Sequence, residues 1–189
     1  FMTSRWPQEA PEFAGKRVAV IGTGSSGIQV ISEVAKEADQ LYVLQRTPSY
    51  TIPLQNRPVN AEQVANIKTN YESLRQLQYD SFAGFTLVHS ELAPLPSQSA
   101  LEVSPEERRA EYENRWASGG LSPYYAYTDS LLDETSNETL AEFAREKIRE
   151  RVDDPELAEK LCPDYQILTR RLSPETNYLE VFNQANVDL

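Results

Sequence analysis

The chain has one cysteine, one histidine and no long apolar run among its 189 residues. A single cysteine, Cys162, cannot form an internal disulfide, so we expect a reducing, cytoplasmic location and a buried, unreactive thiol. The one histidine, His89, has no acid or nucleophile pattern near it, and we expect it to have a surface or packing role. We therefore expect no metal site. No apolar run approaches the roughly 20 residues of a membrane-spanning helix, so no membrane partner is expected.

Positive charge is also scarce, since 18 basic residues face 29 acidic ones and the formal net charge is −11. Duplex nucleic acid binds to basic patches that release its counterions, so this balance argues against a nucleic-acid partner. A phosphorylated ligand must instead be held by a few selected basic residues, because the surface as a whole repels it.

Glycine is rare, but three of the seven glycines form a motif in "VAVIGTGSSGIQV", Gly22-x-Gly24-x-x-Gly27. A strand is predicted before the motif at residues 16–22, and a helix is predicted to begin near Ser25. A second strand is predicted at residues 40–46. This order is typical of a dinucleotide-binding βαβ unit and predicts an α/β, Rossmann-like start to the fold.

Each glycine of the motif has a separate expected role. Gly22 allows the tight turn after the strand, and Gly24 lets the backbone approach a pyrophosphate. Gly27 allows the helix to pack closely on the strand. The free N–H groups at the start of the helix then face the phosphates.

The end of the second predicted strand distinguishes NAD from NADP. An NAD site usually has an acidic residue there, which binds the 2′-hydroxyl of the ribose. Here the strand ends with Gln45, Arg46 and Thr47, and no acid is present. An arginine can pair with a 2′-phosphate through two hydrogen bonds, and the threonine hydroxyl can add another. The residues therefore predict binding of NADP(H).

The rest of the chain is predicted to be a large helical insertion followed by a return to strand structure. A Ser-Pro start with a capping box predicts a helix after Ser104, and Asp154 with Pro155 predicts another. We expect a lead-in at residues 1–15 and the first part of the dinucleotide-binding domain at residues 16–55. The insertion is expected at 56–160 and the return to the domain at 161–189, with a strand beginning at its end.

Three stretches resemble the NADPH-binding region of Baeyer–Villiger monooxygenases, which are flavoproteins of the flavin-containing monooxygenase class. They are "TSRWPQEAPEFAGKRVAVIGTGSSGIQVI", "LYVLQRTPSYTIP" and "LCPDYQILTRRLSPETNYLEVFNQANVDL". Trp6-Pro7 resembles the end of the family's fingerprint, F-x-G-x-x-x-H-x-x-x-W-P. Met2 stands at the position of its histidine, so either the protein lacks this histidine or the sequence begins within the motif, and we favour the second. The resemblance covers both ends of the chain, whereas the middle matches only in its helical character.

The resemblance implies roles for individual residues. Those implied to bind the cofactor pyrophosphate, or to lie just behind that loop, are Gly22, Thr23, Gly24, Ser25, Ser26, Gly27 and Gln29. Arg46 and Thr47 are implied to hold the 2′-phosphate, and Arg170 is implied to approach it. Arg171 matches the arginine regarded as essential for the family's chemistry, in which a fixed guanidinium stabilises negative charge developing on oxygen.

The expected function is the NADPH-binding part of an FAD-dependent monooxygenase that inserts one oxygen atom of O2 into ketones, giving esters or lactones. No second glycine fingerprint is present, so FAD is expected to bind a missing domain of the same polypeptide, and this chain alone is expected to be inactive. One alternative is a flavin-containing monooxygenase that oxidises nitrogen or sulfur. A second is a non-enzymatic NADP-binding sensor module. Trp6-Pro7 and the position of Arg171 favour the Baeyer–Villiger enzyme.

Overall fold

The computed structural model describes residues 1–56, 58–80 and 96–189; His89 lies outside them. The strands are β1 (Arg17–Ile21), β2 (Gln40–Leu44), β3 (Thr51–Pro53), β4 (Ser173–Glu175) and β5 (Val187–Asp188). The helices are α1 (Ser25–Val34), α2 (Ala61–Thr69), α3 (Tyr71–Asp80), α4 (Pro105–Ser118), α5 (Glu134–Arg151) and α6 (Pro155–Leu161). Short 3₁₀ turns occupy Thr3–Arg5, Ser122–Tyr125 and Glu180–Asn183.

The main sheet is a parallel sheet with the strand order β1–β2–β5. Leu41 at its centre pairs with Val18 on one side and with Val187 on the other. Strand β1, helix α1 and strand β2 follow one another as the glycine motif predicts, and β5 is the strand predicted at the end of the chain. The α/β, Rossmann-like prediction is therefore confirmed.

Helix α1 covers one face of this sheet, where its apolar residues Ile28, Ile31 and Val34 are buried. The opposite face is open, since Ile21 is 83% exposed and Leu44 is 53% exposed. Parallel sheets in folded proteins are normally covered on both faces. An uncovered apolar face of this kind is typical of a surface that contacts another structural unit.

Helix α5 connects two hydrophobic cores. Its first half packs Leu140 and Phe143 into a core with the β3 region and α4, and its end packs Ile148 against α1, α6 and the main sheet. Cys162 is half-buried beside this second group, and burial raises the pKa of its thiol, as expected for an unreactive cysteine. Helix α5 belongs to both cores, so the cores do not separate the chain into the expected domains. The domain boundaries expected at residues 55 and 160 therefore stay predictions.

Strands β3 and β4 were not predicted from the sequence. The two strands pair in parallel, with Thr51 opposite Ser173 and Ile52 opposite Pro174. Each strand has only three residues, so no alternating pattern can develop, and proline is unusual in strands because it lacks an N–H donor. Ile52 is nevertheless fully buried, which anchors the pair in the core.

The helix caps agree with the sequence analysis. The Ser104 hydroxyl accepts a hydrogen bond from the Glu107 N–H at 3.2 Å, and the Glu107 carboxylate accepts one from the Ser104 N–H at 3.0 Å. Asp154 caps α6 through the N–H groups of its first turn. These side chains satisfy backbone donors that an isolated helix leaves without partners.

Helices α2 and α3 meet at Asn70, and neither has a buried residue. Helix α4 is rich in acidic residues, but its Tyr112 and Arg115 are buried. Pattern alone did not show these contacts, because they depend on elements distant in sequence.

Asp129 joins the start of α5 to the segment that follows the undescribed residues. Its carboxylate accepts hydrogen bonds from the Ser99 hydroxyl, the Ala100 N–H and the Ser136 hydroxyl at 2.5–3.1 Å. Partial burial acts to raise the pKa of Asp129, but these hydrogen bonds outweigh it and the pKa is lowered. The ionised form of Asp129 is therefore favoured by folding.

We expect Asp129→Asn to lower the free energy of unfolding by about 1–3 kcal/mol, because an amide cannot accept all three bonds. The exposed Asp153→Asn is the matched control and should change it by less than about 0.5 kcal/mol. Because the folded pKa of Asp129 is depressed, its contribution is complete above the unfolded pKa of about 4 and is lost as pH falls further. Urea unfolding between pH 2 and 7 should therefore show a weaker acid dependence in Asp129→Asn than in the wild type.

Candidate functional site

The glycine loop connects the end of β1 to the start of α1. Gly22 has φ +96°, a conformation that strains any residue with a Cβ atom, and its N–H donates to the Leu44 carbonyl at 2.9 Å. Gly24 is the N-cap of α1 and has extended backbone angles, with no side chain hydrogen-bonded to the first turn. The N-terminal N–H groups of α1 therefore have no side-chain cap.

The other two glycines of the motif differ in what surrounds them. A Cβ atom on Gly27 would lie 2.1 Å from the Gly22 carbonyl oxygen, whereas one on Gly24 would have no heavy atom within 4 Å. Gly27 is thus required for close packing of helix on loop. Gly24 leaves open space on the outer side of the turn, where Ser25 and Ser26 are exposed. This combination fits a pyrophosphate that approaches the backbone at Gly24.

Thr23 and Gln29, which were also predicted at the cofactor loop, have side chains in other surroundings. The Thr23 side chain is buried; its hydroxyl lies 3.3 Å from Gln45 Oε1 and 3.4 Å from the Thr47 carbonyl oxygen. Thr23 thus holds the loop against the end of β2 and offers a ligand only its backbone. Gln29 lies one turn further along α1 and lines a cavity of about 510 Å³ together with Trp6.

Gln45 extends the connection from the loop to helix α6. Its side-chain amide donates to the Lys160 carbonyl at the end of α6, at 2.8 Å. Gln45 therefore bridges Thr23 and α6, so the residue that replaces the usual acid of an NAD site is engaged in structural contacts. Arg46, the next residue, is exposed.

Two basic segments, Arg46-Thr47 and Arg170-Arg171, lie at the same end of the β3–β4 pair. Thr47 lies four residues before β3, and Arg170 and Arg171 are separated from β4 by Leu172. The first residue of β4, Ser173, donates its N–H to the Tyr50 carbonyl at 3.2 Å. Because the strands are parallel, the residues that enter them lie at the same end. In the described part of the chain, Arg46, Arg170 and Arg171 form no salt bridge, so their charge is available to an anion.

A buried tyrosine network supports these segments and was missed in the sequence analysis. The Tyr50 hydroxyl accepts a hydrogen bond from Arg145 Nη1 at 2.8 Å and lies 3.1 Å from the Tyr165 carbonyl oxygen. Burial raises the pKa of Tyr50 to about 12, so its hydroxyl stays protonated. No short-range signal predicts it, since the partners are separated by about a hundred positions.

Two features are absent from the residues that the structure describes. No group of three or more histidine, cysteine or acidic side chains could hold a metal ion there. Nor does that part of the chain have a helix that is long and apolar enough to span a bilayer.

No protein-family model matches the chain. It is 40% identical over 187 residues to an acetone monooxygenase (methyl acetate-forming) of Gordonia sp. (strain TY-5), covering 98% of this chain and 34% of the relative. It is 35% identical to a Baeyer–Villiger monooxygenase of Pseudooceanicola batsensis, covering 99% of this chain and 33% of the relative. It is also 35% identical to a phenazine N-monooxygenase of Lysobacter antibioticus, covering 99% and 34%.

Solved structures give the same result. An oxidized steroid monooxygenase bound to NADP is 45% identical and superposes with a TM-score of 0.87, covering 98% of this chain and 34% of that one. The chain therefore spans about a third of the length of the proteins that it matches. The resemblance to Baeyer–Villiger monooxygenases that the motifs indicate is thus confirmed over the whole of this chain, which corresponds to one third of such an enzyme.

Proposed function

We propose that the chain is the NADPH-binding part of an FAD-dependent Baeyer–Villiger monooxygenase that converts ketones to esters or lactones. The observation that carries this proposal is the glycine loop with the uncapped start of α1, which Thr23 joins to the acid-free end of β2. Arg46 and Thr47 follow that end, and the Arg170-Arg171 pair lies ahead of β4, which pairs with β3. The domain boundaries expected from the sequence, at residues 15, 55 and 160, are part of this proposal.

The residues present fit NADPH. The open space at Gly24 admits a pyrophosphate to the backbone, where the N-terminal N–H groups of α1 bind it. Arg46, Thr47 and Arg170 then bind the 2′-phosphate. The positive charges of Arg46 and Arg170 attract the phosphate, although the chain as a whole is acidic. NADPH supplies the hydride that reduces FAD, and the task of this chain is to bind and orient the dinucleotide.

Arg171 is the proposed catalytic residue. Its side chain is exposed, and its backbone lies two residues before Ser173, where the pairing of β4 with β3 begins. A fixed guanidinium stabilises negative charge on oxygen at the reaction centre, and its planar fork does so better than the single ammonium of lysine. The ketone substrate and the FAD domain of the same polypeptide are the proposed partners.

Oxidation of nitrogen is the second candidate, because the phenazine N-monooxygenase matches this chain over the same extent. Both reactions use the same NADPH site, so nucleotide binding does not separate them. Turnover of a small ketone against an aromatic nitrogen heterocycle by the polypeptide joined to its FAD domain does. Ester formation supports the first candidate, and N-oxide formation supports the second.

The binding site is tested by titrating the 189-residue chain with NADPH and with NADH. We expect the wild type to prefer NADPH, and we expect Arg46→Ala to weaken NADPH binding about 10- to 100-fold, the value of a lost charge-assisted pair. NADH affinity should not change, because NADH lacks the 2′-phosphate. The control Arg17→Ala removes an equally exposed charge at the opposite end of β1 and should leave both affinities unchanged. Equal wild-type affinity for the two nucleotides contradicts the proposal.

A further inference from the structure

Arg170 is held by an aromatic ring. Its guanidinium carbon lies 4.4 Å from the centroid of the Tyr165 ring, well within the distance of a cation–π contact. Arg170 is exposed, and an exposed arginine without such a contact samples many rotamers that must be given up on binding a ligand. Stacking on Tyr165 therefore limits where the guanidinium can be.

An arginine that stacks on an aromatic ring contacts it through the face of the guanidinium. Its five N–H donors lie in the plane and point outward from the edge, so they stay available to an anion while the face rests on the ring. A salt bridge to a carboxylate would instead occupy those donors. The ring thus orients Arg170 without competing with a phosphate for it.

Tyr165 is itself firmly positioned. Its hydroxyl accepts a hydrogen bond from the Tyr50 N–H at 3.4 Å, and the two rings meet edge to face with centroids 5.2 Å apart. Tyr50 is in turn bonded to Arg145, which pairs with Glu142 at 2.8 Å and also with Glu138. A continuous series of contacts therefore runs from helix α5 to Arg170.

The tyrosine pair also joins the two segments that carry the proposed 2′-phosphate residues. Tyr50 lies three positions after Thr47, and Tyr165 lies five positions before Arg170. Contacts between the two tyrosines, in addition to the β3–β4 pairing, therefore fix the position of one segment relative to the other. Burial of apolar surface alone would not require these hydrogen bonds and ring contacts between the two segments.

We propose that Tyr165 is a positioning residue that holds Arg170 by stacking, so that the N–H edge of Arg170 binds the 2′-phosphate and NADPH is selected over NADH. The proposal rests on the proposed function, because it assumes that this end of the fold binds NADPH. Tyr165 acts through Arg170 and does not itself contact the phosphate.

The test compares two substitutions of Tyr165 in the 189-residue chain, with NADPH and NADH affinities measured by calorimetry. Tyr165→Phe keeps the ring and should retain the wild-type preference for NADPH. Tyr165→Leu removes the ring and should weaken NADPH binding about 3- to 10-fold without changing NADH affinity. In an Arg170→Ala background, Tyr165→Leu should have no further effect on NADPH affinity, because the residue it positions is gone.

Each other outcome has a definite meaning. Equal weakening of NADPH and NADH by Tyr165→Leu, or an undiminished effect of Tyr165→Leu in Arg170→Ala, overturns the positioning role and leaves the proposed function intact. A wild type without preference for NADPH overturns the proposed function and the positioning role together. If Tyr165→Leu does not fold, NMR of the wild type decides. The Arg170 side-chain protons should be shifted upfield by the ring current of Tyr165, and unshifted protons overturn the proposal.

Discussion

Arg151→Ala is expected to lower the free energy of unfolding by about 3–5 kcal/mol, the cost of leaving a buried charge without its partner. Arg151 ends helix α5 and bonds Glu175 at 2.6 Å and Glu180 at 2.7 and 2.8 Å. The Glu175 side chain is 1% exposed, so water cannot replace the guanidinium.

The position of these acids explains why the effect should be large. Glu175 is the last residue of β4, and its second carboxylate oxygen accepts a hydrogen bond from the Tyr178 N–H at 2.7 Å. Glu180 lies in the 3₁₀ turn that leads towards β5. Burial acts to raise the pKa of Glu180, but the bonds from Arg151 outweigh it and lower the pKa. Arg151 therefore ties the end of helix α5 to β4 and to the 3₁₀ turn that precedes β5.

Urea unfolding of Arg151→Ala and Arg149→Ala provides the measurement. Arg149 lies on the same helix and pairs with Glu142 and Glu159, but these pairs are exposed and should contribute less than about 1 kcal/mol. Adding Glu175→Gln to Arg151→Ala should recover part of the loss, since the uncompensated charge is removed. A loss in Arg151→Ala no larger than that in Arg149→Ala would contradict this interpretation of the buried pair.

The second large effect separates two neighbouring glycines. Gly27→Ala should lower the free energy of unfolding by about 1–3 kcal/mol or more, because its Cβ would lie 2.1 Å from a backbone oxygen and α1 would have to move. Gly24→Ala should change stability by about 1 kcal/mol or less, since its φ of −77° suits alanine and nothing lies near the new methyl group.

For nucleotide affinity we expect the opposite order, with Gly24→Ala having the larger effect. In Gly24→Ala the methyl group stands where the pyrophosphate approaches, so affinity for NADPH and NADH should both fall about 10- to 100-fold in a folded protein. Equal loss for both nucleotides distinguishes this pyrophosphate effect from the NADPH-selective effect of Arg46→Ala. A Gly24→Ala variant that binds as tightly as the wild type would place the pyrophosphate elsewhere.

Local sequence signals predicted the parts of the structure that are themselves local. The glycine spacing gave β1, α1 and β2, and the caps at Ser104 and Asp154 gave the starts of two helices, because each depends on residues within a turn or two. The resemblance to a known family added the prediction for the Arg170-Arg171 pair, which no nearby pattern singles out.

Contacts between distant segments could not be predicted in this way. Strands β3 and β4 are three residues long and each contains a proline, so neither periodicity nor propensity indicates them. The stacking of Arg170 on Tyr165 depends on the loop conformation between them, and the bond from Arg145 to Tyr50 joins residues about a hundred positions apart. Such contacts are selected by the packed fold and leave no periodic trace in the sequence.

The pairing of β3 with β4 also has a kinetic consequence. It joins residues about 120 positions apart, so the chain must close a very long loop before the pair can form. The glycine loop needs only the neighbouring strands and helix, which lie within about 30 residues of one another. During folding, the glycine loop and Arg46 should therefore be in place before Arg170, and an incompletely folded chain should prefer NADPH over NADH by less than the folded chain does.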